Sequence, residues 1–183
     1  MTVNTQLRPP ARWQAQGLPV VQEPTVRRCG HYAVLSGREG QALAMLAGDL
    51  NASQIAQRAR WSYGSTLARL RELLRSLGAA SWPQAVDVAC RTGVLVPPPG
   101  RLTAPLPPSP LASFQAIAEG EPFQQVAVRR GITKATLGAH LSAIRYRARS
   151  EGNPAAVFRL HGVPGLLNAS VPPCRFCRTA ASV

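Results

Sequence analysis

Acidic residues are scarce in this 183-residue chain. Eight Asp and Glu stand against 21 Lys and Arg, for a net charge of +13. With so few carboxylates, no Ser/His/Asp set and no glycine-rich phosphate loop, acid–base or phosphoryl chemistry has little to work with. No catalytic residue is expected, and the chain is not read as an enzyme. Aromatics are few as well: three Trp, three Tyr and four Phe. Any core must therefore rest on Leu, Ala, Val and Ile, a mixture that suits small helical domains. No apolar run approaches the ~18 residues of a transmembrane helix, and the opening Met1 to Pro10 lacks the apolar stretch of a signal peptide. The four cysteines are too few and too unevenly placed for a secreted disulfide scaffold. A cytoplasmic location is expected. Lysine is nearly missing too, since Lys134 is the only one. What remains is arginine, spread along the chain, and a polyanionic partner is its simplest counterpart.

The chain repeats itself. Shifted by 71 residues, 35–95 aligns with 106–166 without a gap and with 11 identities in 61 positions. Leu35 matches Leu106, Ala56 matches Ala127, Leu70 matches Leu141 and Pro83 matches Pro154. Conservative pairs such as Ile55/Val126, Ser62/Thr133 and Leu73/Ile144 fall at apolar or capping positions. The reading is two diverged copies of one unit.

Each copy reads as four short helices. Ser36 and Glu39 form a capping-box pattern ahead of Ala42, Leu43, Leu46 and Ala47, which predicts a helix over about 37–48. Asn51 is placed to cap a second helix with Ile55, Ala56 and Ala59 inward. Ser62 is placed to cap a third, with Leu67, Leu70, Leu73, Leu74 and Leu77 at helical spacing. Gly78 ends the third helix, and a fourth begins near Pro83 and stops near Gly93. In the second copy Asn153 and Pro154 read as a cap and first-turn pair. The expected architecture is all-α. It has an irregular basic segment at 1–34, a first unit at 35–95, a Pro-rich linker at 96–105, a second unit at 106–166 and a tail at 167–183.

Two short helices, a tight turn at Ala59-Arg60-Trp61-Ser62 and a basic third helix are the parts of a helix-turn-helix. The first copy runs Leu35-Ser36-Gly37-Arg38-Glu39, Ile55-Ala56-Gln57-Arg58, Ser62, then Leu73 through Gly78. This resembles the LuxR-type helix-turn-helix of bacterial transcription regulators. That family opens Leu-Thr-x-Arg-Glu and continues through Ile-Ala, Ser, Thr-Val-Lys-x-His and Leu-Gly. The second copy keeps Thr136, Leu137 and His140 at the Thr, Val and His positions. The family lysine is replaced by Leu67 in one copy and Gly138 in the other, and Ser109-Pro110 stands in for the Arg-Glu opening of the second. The resemblance covers about two thirds of the chain. It implies two tandem four-helix units that bind double-stranded DNA, with fourth helices that pair within one chain or between two in a homodimer.

Candidate DNA contacts are the caps and polar positions of the two third helices. Ser62, Ser65, Thr66, Thr133 and Thr136 can offer hydroxyls or amides to phosphate at a helix start, where the dipole favours anions. Tyr63 and Lys134 sit just inside those starts. Arg69, Arg71, Arg75, His140, Arg145 and Arg147 lie farther along, as base readers or phosphate anchors. Because the two third helices differ at most of these positions, an asymmetric site is expected. An extended Pro-rich spacer of about 11 residues would span roughly 34 Å, one DNA turn.

Other features are read more plainly. Cys174 and Cys177 have metal-knuckle spacing and, with Cys29 and His31, would complete a Cys3His zinc site if the two ends met. Such a pair in a short tail reads first as free thiols or a redox-labile pair, and no cofactor is expected. Cys90 and His161 hold equivalent fourth-helix positions and are read as packing residues, as is Trp61. The sequence supports a DNA-binding transcription regulator. The second reading is an interaction module for RNA polymerase, a sigma factor or another regulator, with weak non-specific DNA binding.

Overall fold

Side-chain caps mark where most elements of this protein begin. A computed structural model describes residues 19, 35–100, 102, 104–168 and 170, and among these it holds eight α-helices and no strand. The first four are α1 (Gly37–Ala47), α2 (Ala52–Ala59), α3 (Tyr63–Leu77) and α4 (Trp82–Arg91); the second four are α5 (Pro108–Ala118), α6 (Phe123–Arg129), α7 (Lys134–Arg147) and α8 (Asn153–His161). Every helix of the second set starts 71 residues after its counterpart, the shift that aligns the sequence with itself. No helix among the described residues is long and apolar enough to cross a membrane.

The caps expected of the first set are present. Ser36 Oγ accepts from the Glu39 amide at 3.3 Å while the Glu39 carboxylate accepts from the Ser36 amide at 2.7 Å. Asn51 and Gln54 form the same reciprocal box at the head of α2. Gly78, at φ 63, closes α3 in the left-handed region that favours glycine.

One expected cap is corrected. Asn153 does not cap α8; it is the first helical residue, Gly152 is the N-cap, and Asn153 Oδ1 is buried with no partner. The carboxylate of Asp49, from the turn after α1, does the work instead. It accepts from the amides of Glu151 and Gly152, each at 2.7 Å. A glycine N-cap has no side-chain oxygen of its own, so the partner must come from elsewhere.

The core is shared between the two sets. One hydrophobic cluster runs from Leu43, Ile55, Leu70, Leu73 and Val86 through Phe114, Val126, Leu137, Ile144 and Leu160, all nearly or fully buried. The most extensive helix pairing is α4 against α8, the two fourth helices of one chain. Around it the contacts are reciprocal, since α1 packs on α8 and its counterpart α5 packs on α4. Reciprocal contacts of equivalent elements are the mark of an isologous interface.

A charged cluster lies in this pairing. Asp87 on α4 is 3% exposed, and its carboxylate meets Arg91 Nη1 at 2.9 Å and His161 Nε2, from α8, at 2.8 Å. His161 is therefore more than a packing residue. The Cys90 thiol beside it is half-buried, with its pKa pushed up by burial and then by the Asp87 charge.

The Pro-rich segment after α4 does not stand away as a free extended spacer over 98–100. The Gly100 amide donates to the Gly162 carbonyl at 2.9 Å, just past the end of α8. A Cβ added to Gly162 would fall 2.2 Å from the Pro98 carbonyl oxygen, so only glycine permits this approach.

Candidate nucleic-acid interface

The helix-turn-helix expectation falls on α2–α3 and α6–α7, two helix pairs each joined by a short turn. In the first turn Arg60 ends α2 at φ 57, and the Trp61 amide reaches back to the Ala56 carbonyl at 2.9 Å. In the second, Gly131 holds the matching position at φ 61, and the Ile132 amide reaches the Ala127 carbonyl at 3.0 Å. Ser62 Oγ accepts from the Ser65 amide at 3.1 Å, and Thr133 Oγ1 from the Thr136 amide at 3.0 Å. In both helices the side chains of that cap pair also bond to each other at 2.9 Å. These caps leave the amides of Tyr63 and Gly64, and of Lys134 and Ala135, without a partner inside their helices, at an exposed helix start that suits an anion.

Helical phase separates the candidates. On α3 the buried stripe is Thr66, Leu70, Leu73 and Leu77, and on α7 it is Leu137, Leu141 and Ile144, continued by buried Ala148 at the C-cap. Positions two residues before each buried one lie about 200° round the helix, on the outer face. On α3 these are Gly64, Ala68, Arg71 and Arg75; on α7 they are Ala135, Ala139, Ser142 and Tyr146. All eight are exposed, Tyr146 to 83%.

Thr66 is therefore removed from the contact set. It has no exposed surface, and its hydroxyl donates to the Ser62 carbonyl at 3.0 Å, at the position where the second copy has Leu137. Arg69 and His140, a matched pair, are half-buried and turned toward their own units. The Arg69 guanidinium carbon sits 4.7 Å from the centroid of the Trp61 ring, a cation–π contact, and Trp61 in turn packs against the core. His140 Nδ1 shares a 3.0 Å hydrogen bond with the hydroxyl of buried Ser113 on α5.

Of the remaining cations, Arg145 Nη2 donates to Ser142 Oγ at 2.9 Å and Arg147 Nη1 to the Ala143 carbonyl at 3.4 Å, and both flank the outer stripe. Arg71, Arg75, Tyr63, Lys134, Ser62, Ser65, Thr133 and Thr136 are exposed. Sequence reasoning passed over Ser142, Tyr146, Ala135 and Ala139. Their signal is positional, two residues ahead of each buried apolar residue. Cys29, His31, Cys174 and Cys177 lie outside the described residues.

Comparison with known proteins returned no family model, no curated relative and no solved structure that matches the chain.

Proposed function

We propose that the chain is a sequence-specific double-stranded DNA-binding transcription regulator of the bacterial cytoplasm, using two LuxR-like helix-turn-helix modules in one chain. The observation that carries this reading is the reciprocal pairing of α4 with α8 around a 71-residue structural repeat. It supports a pseudo-dimer, because two-fold dimers of this motif read half-sites about 34–36 Å apart. The net charge of +13 adds the attraction to phosphate that such binding needs. Tyr63, Lys134 and the capped helix starts approach the backbone, and the outer stripe of the third helices approaches the groove.

Selection from a random duplex library at about 150 mM salt tests this, since non-specific contacts are weak there. The expected result is enrichment of an asymmetric, non-palindromic site. Binding that ignores sequence and collapses with salt would favour the second reading, an interaction module for RNA polymerase, a sigma factor or another regulator. The apolar exposure of Val128 (70%) and Tyr146 (83%) is what favours that alternative.

A further inference from the structure

The outer stripes of α3 and α7 carry unlike chemistry at matched positions. Arg71 corresponds to Ser142 and Arg75 to Tyr146, while the first two places are small on both helices: Gly64 and Ala68, Ala135 and Ala139. Small residues at the head of the stripe let a helix come close to a groove floor, and a Cβ built on Gly64 meets nothing within 4 Å. A long forked side chain one turn later is then in reach of base edges.

The cations of the two modules are also disposed differently. Arg71 is exposed and enters no ion pair among the described residues. Arg75 has only a surface pair with Glu72, the two side chains being 72% and 49% exposed, so its hold is weak. In the second module most guanidiniums bond to the protein itself, Arg149 being the exposed exception. Both carboxylate oxygens of Glu121 accept from Arg129, at 2.9 and 2.7 Å, and Arg130 donates to the carbonyl and hydroxyl of Ser109. Arg145 and Arg147 are bonded to Ser142 and Ala143. Lys134, exposed at the start of α7, is a compact point charge suited to phosphate rather than to a base edge.

Resting on the DNA-binding reading above, we propose that base readout is one-sided. Arg71 and Arg75 of α3 recognise guanine in one half-site, their forked N–H groups donating to O6 and N7 in the major groove. The α7 half-site is anchored through phosphates by Lys134 and the free amides at the helix start, and it tolerates any base sequence. Arg71 and Arg75 are four residues apart, a rise of about 6 Å, so the guanines they read lie about two base steps apart.

The test uses the full chain on the duplex that selection enriches. Sequence information is expected in one half-site only, with guanines in it. Arg71→Ala and Arg71→Lys should each weaken that duplex about 10- to 100-fold and leave an unrelated duplex within about threefold. Replacing the contacted guanine by 7-deazaguanine, which lacks the N7 acceptor, should cost the native chain affinity and the Arg71→Ala chain almost nothing further. Ser142→Ala and Tyr146→Ala should leave the selected sequence unchanged. Equal information in both half-sites, or Arg71 variants that weaken all duplexes alike, would overturn one-sided readout while leaving DNA binding intact. No duplex binding by the native chain would remove both readings together.

Discussion

Asp49 and Gly152 are 103 residues apart in sequence and 2.7 Å apart in space, carboxylate to amide. The contact joins the turn after α1 to the head of α8 and so ties the first module to the second. Asp49 sits at φ 74, a left-handed conformation that aspartate and asparagine tolerate better than most residues.

Asp49→Ala should destabilise the protein by about 2 kcal/mol, since it removes a charged cap and puts a Cβ-bearing residue without local polar compensation at positive φ. Asp49→Asn keeps one acceptor and the backbone preference, and should lose about half as much. Urea midpoints for the three chains check this. Equal losses for both variants would show that charge, not the hydrogen bond, holds the junction.

Asp87→Ala should be the more damaging change. It strands Arg91 and His161, whose side chains are each 8% exposed, without their shared acceptor. Breaking a buried pair by removing one partner costs about 3–5 kcal/mol. Thermal unfolding followed by circular dichroism would show a loss well beyond that of any surface variant. A drop below about 1 kcal/mol would mean that the cluster opens to water.

The shared core predicts a single unfolding transition. All three tryptophans, Trp13, Trp61 and Trp82, belong to the first half of the chain, whereas helical circular dichroism reports both modules. Fluorescence and circular dichroism curves in urea should coincide, as cooperative single-core unfolding requires. Two separated midpoints would show that the modules fold independently.

Glu39 gives the acid side of the stability curve a residue-level test. Burial works to raise its pKa, but hydrogen bonds from the Ser36 amide, the Ser36 side chain and Ser76 outweigh it and hold the carboxyl below the ordinary 4.5. A depressed folded value means the stabilisation is fully present above the ordinary glutamate value and fades as pH falls through the folded one. Unfolding free energies measured between pH 7 and 3 should fall less steeply in Glu39→Gln than in the native chain. Parallel curves would contradict the assignment.

The two turns make a matched pair of tests. Gly131→Ala places a side chain at φ 61 and should cost about 1 kcal/mol, although the space around it is open. Arg60→Gly, at φ 57, relieves the same strain but loosens the unfolded chain. The net change should stay within about 0.5 kcal/mol. Chemical denaturation of both variants reads the difference.

Much of the fold was legible in the sequence because its signals are local. The caps Ser36, Asn51, Ser62 and Thr133, the stop at Gly78 and the 71-residue shift all depend on neighbours a few positions away or on direct self-comparison. Asp49 was not legible as a cap, nor Asp87 as the acceptor for His161, because those partners come from the other half of the chain. Thr66 was read by its hydroxyl rather than by its phase with Leu70 and Leu73, which places it inside. The candidate interface was legible in part for the same reason. Charge named Arg71 and Arg75 but also Arg69 and His140, which turn inward. The outer stripe of α7 contains no charge, and so it escaped notice.

The joining of α4 to α8 within one polypeptide has a consequence for dosage and for evolution. A homodimer comes apart on dilution, and its stability depends on protomer concentration. Here the two halves arrive together at synthesis, so the paired form persists at a few copies per cell and cannot exchange a half with a related protein. Symmetry is no longer enforced by the gene either. A substitution in one half is not imposed on the other, which is how Asp49 could come to hold the head of α8 through its carboxylate, while at its counterpart, Gly120, the turn is met by the Gln84 side chain of α4.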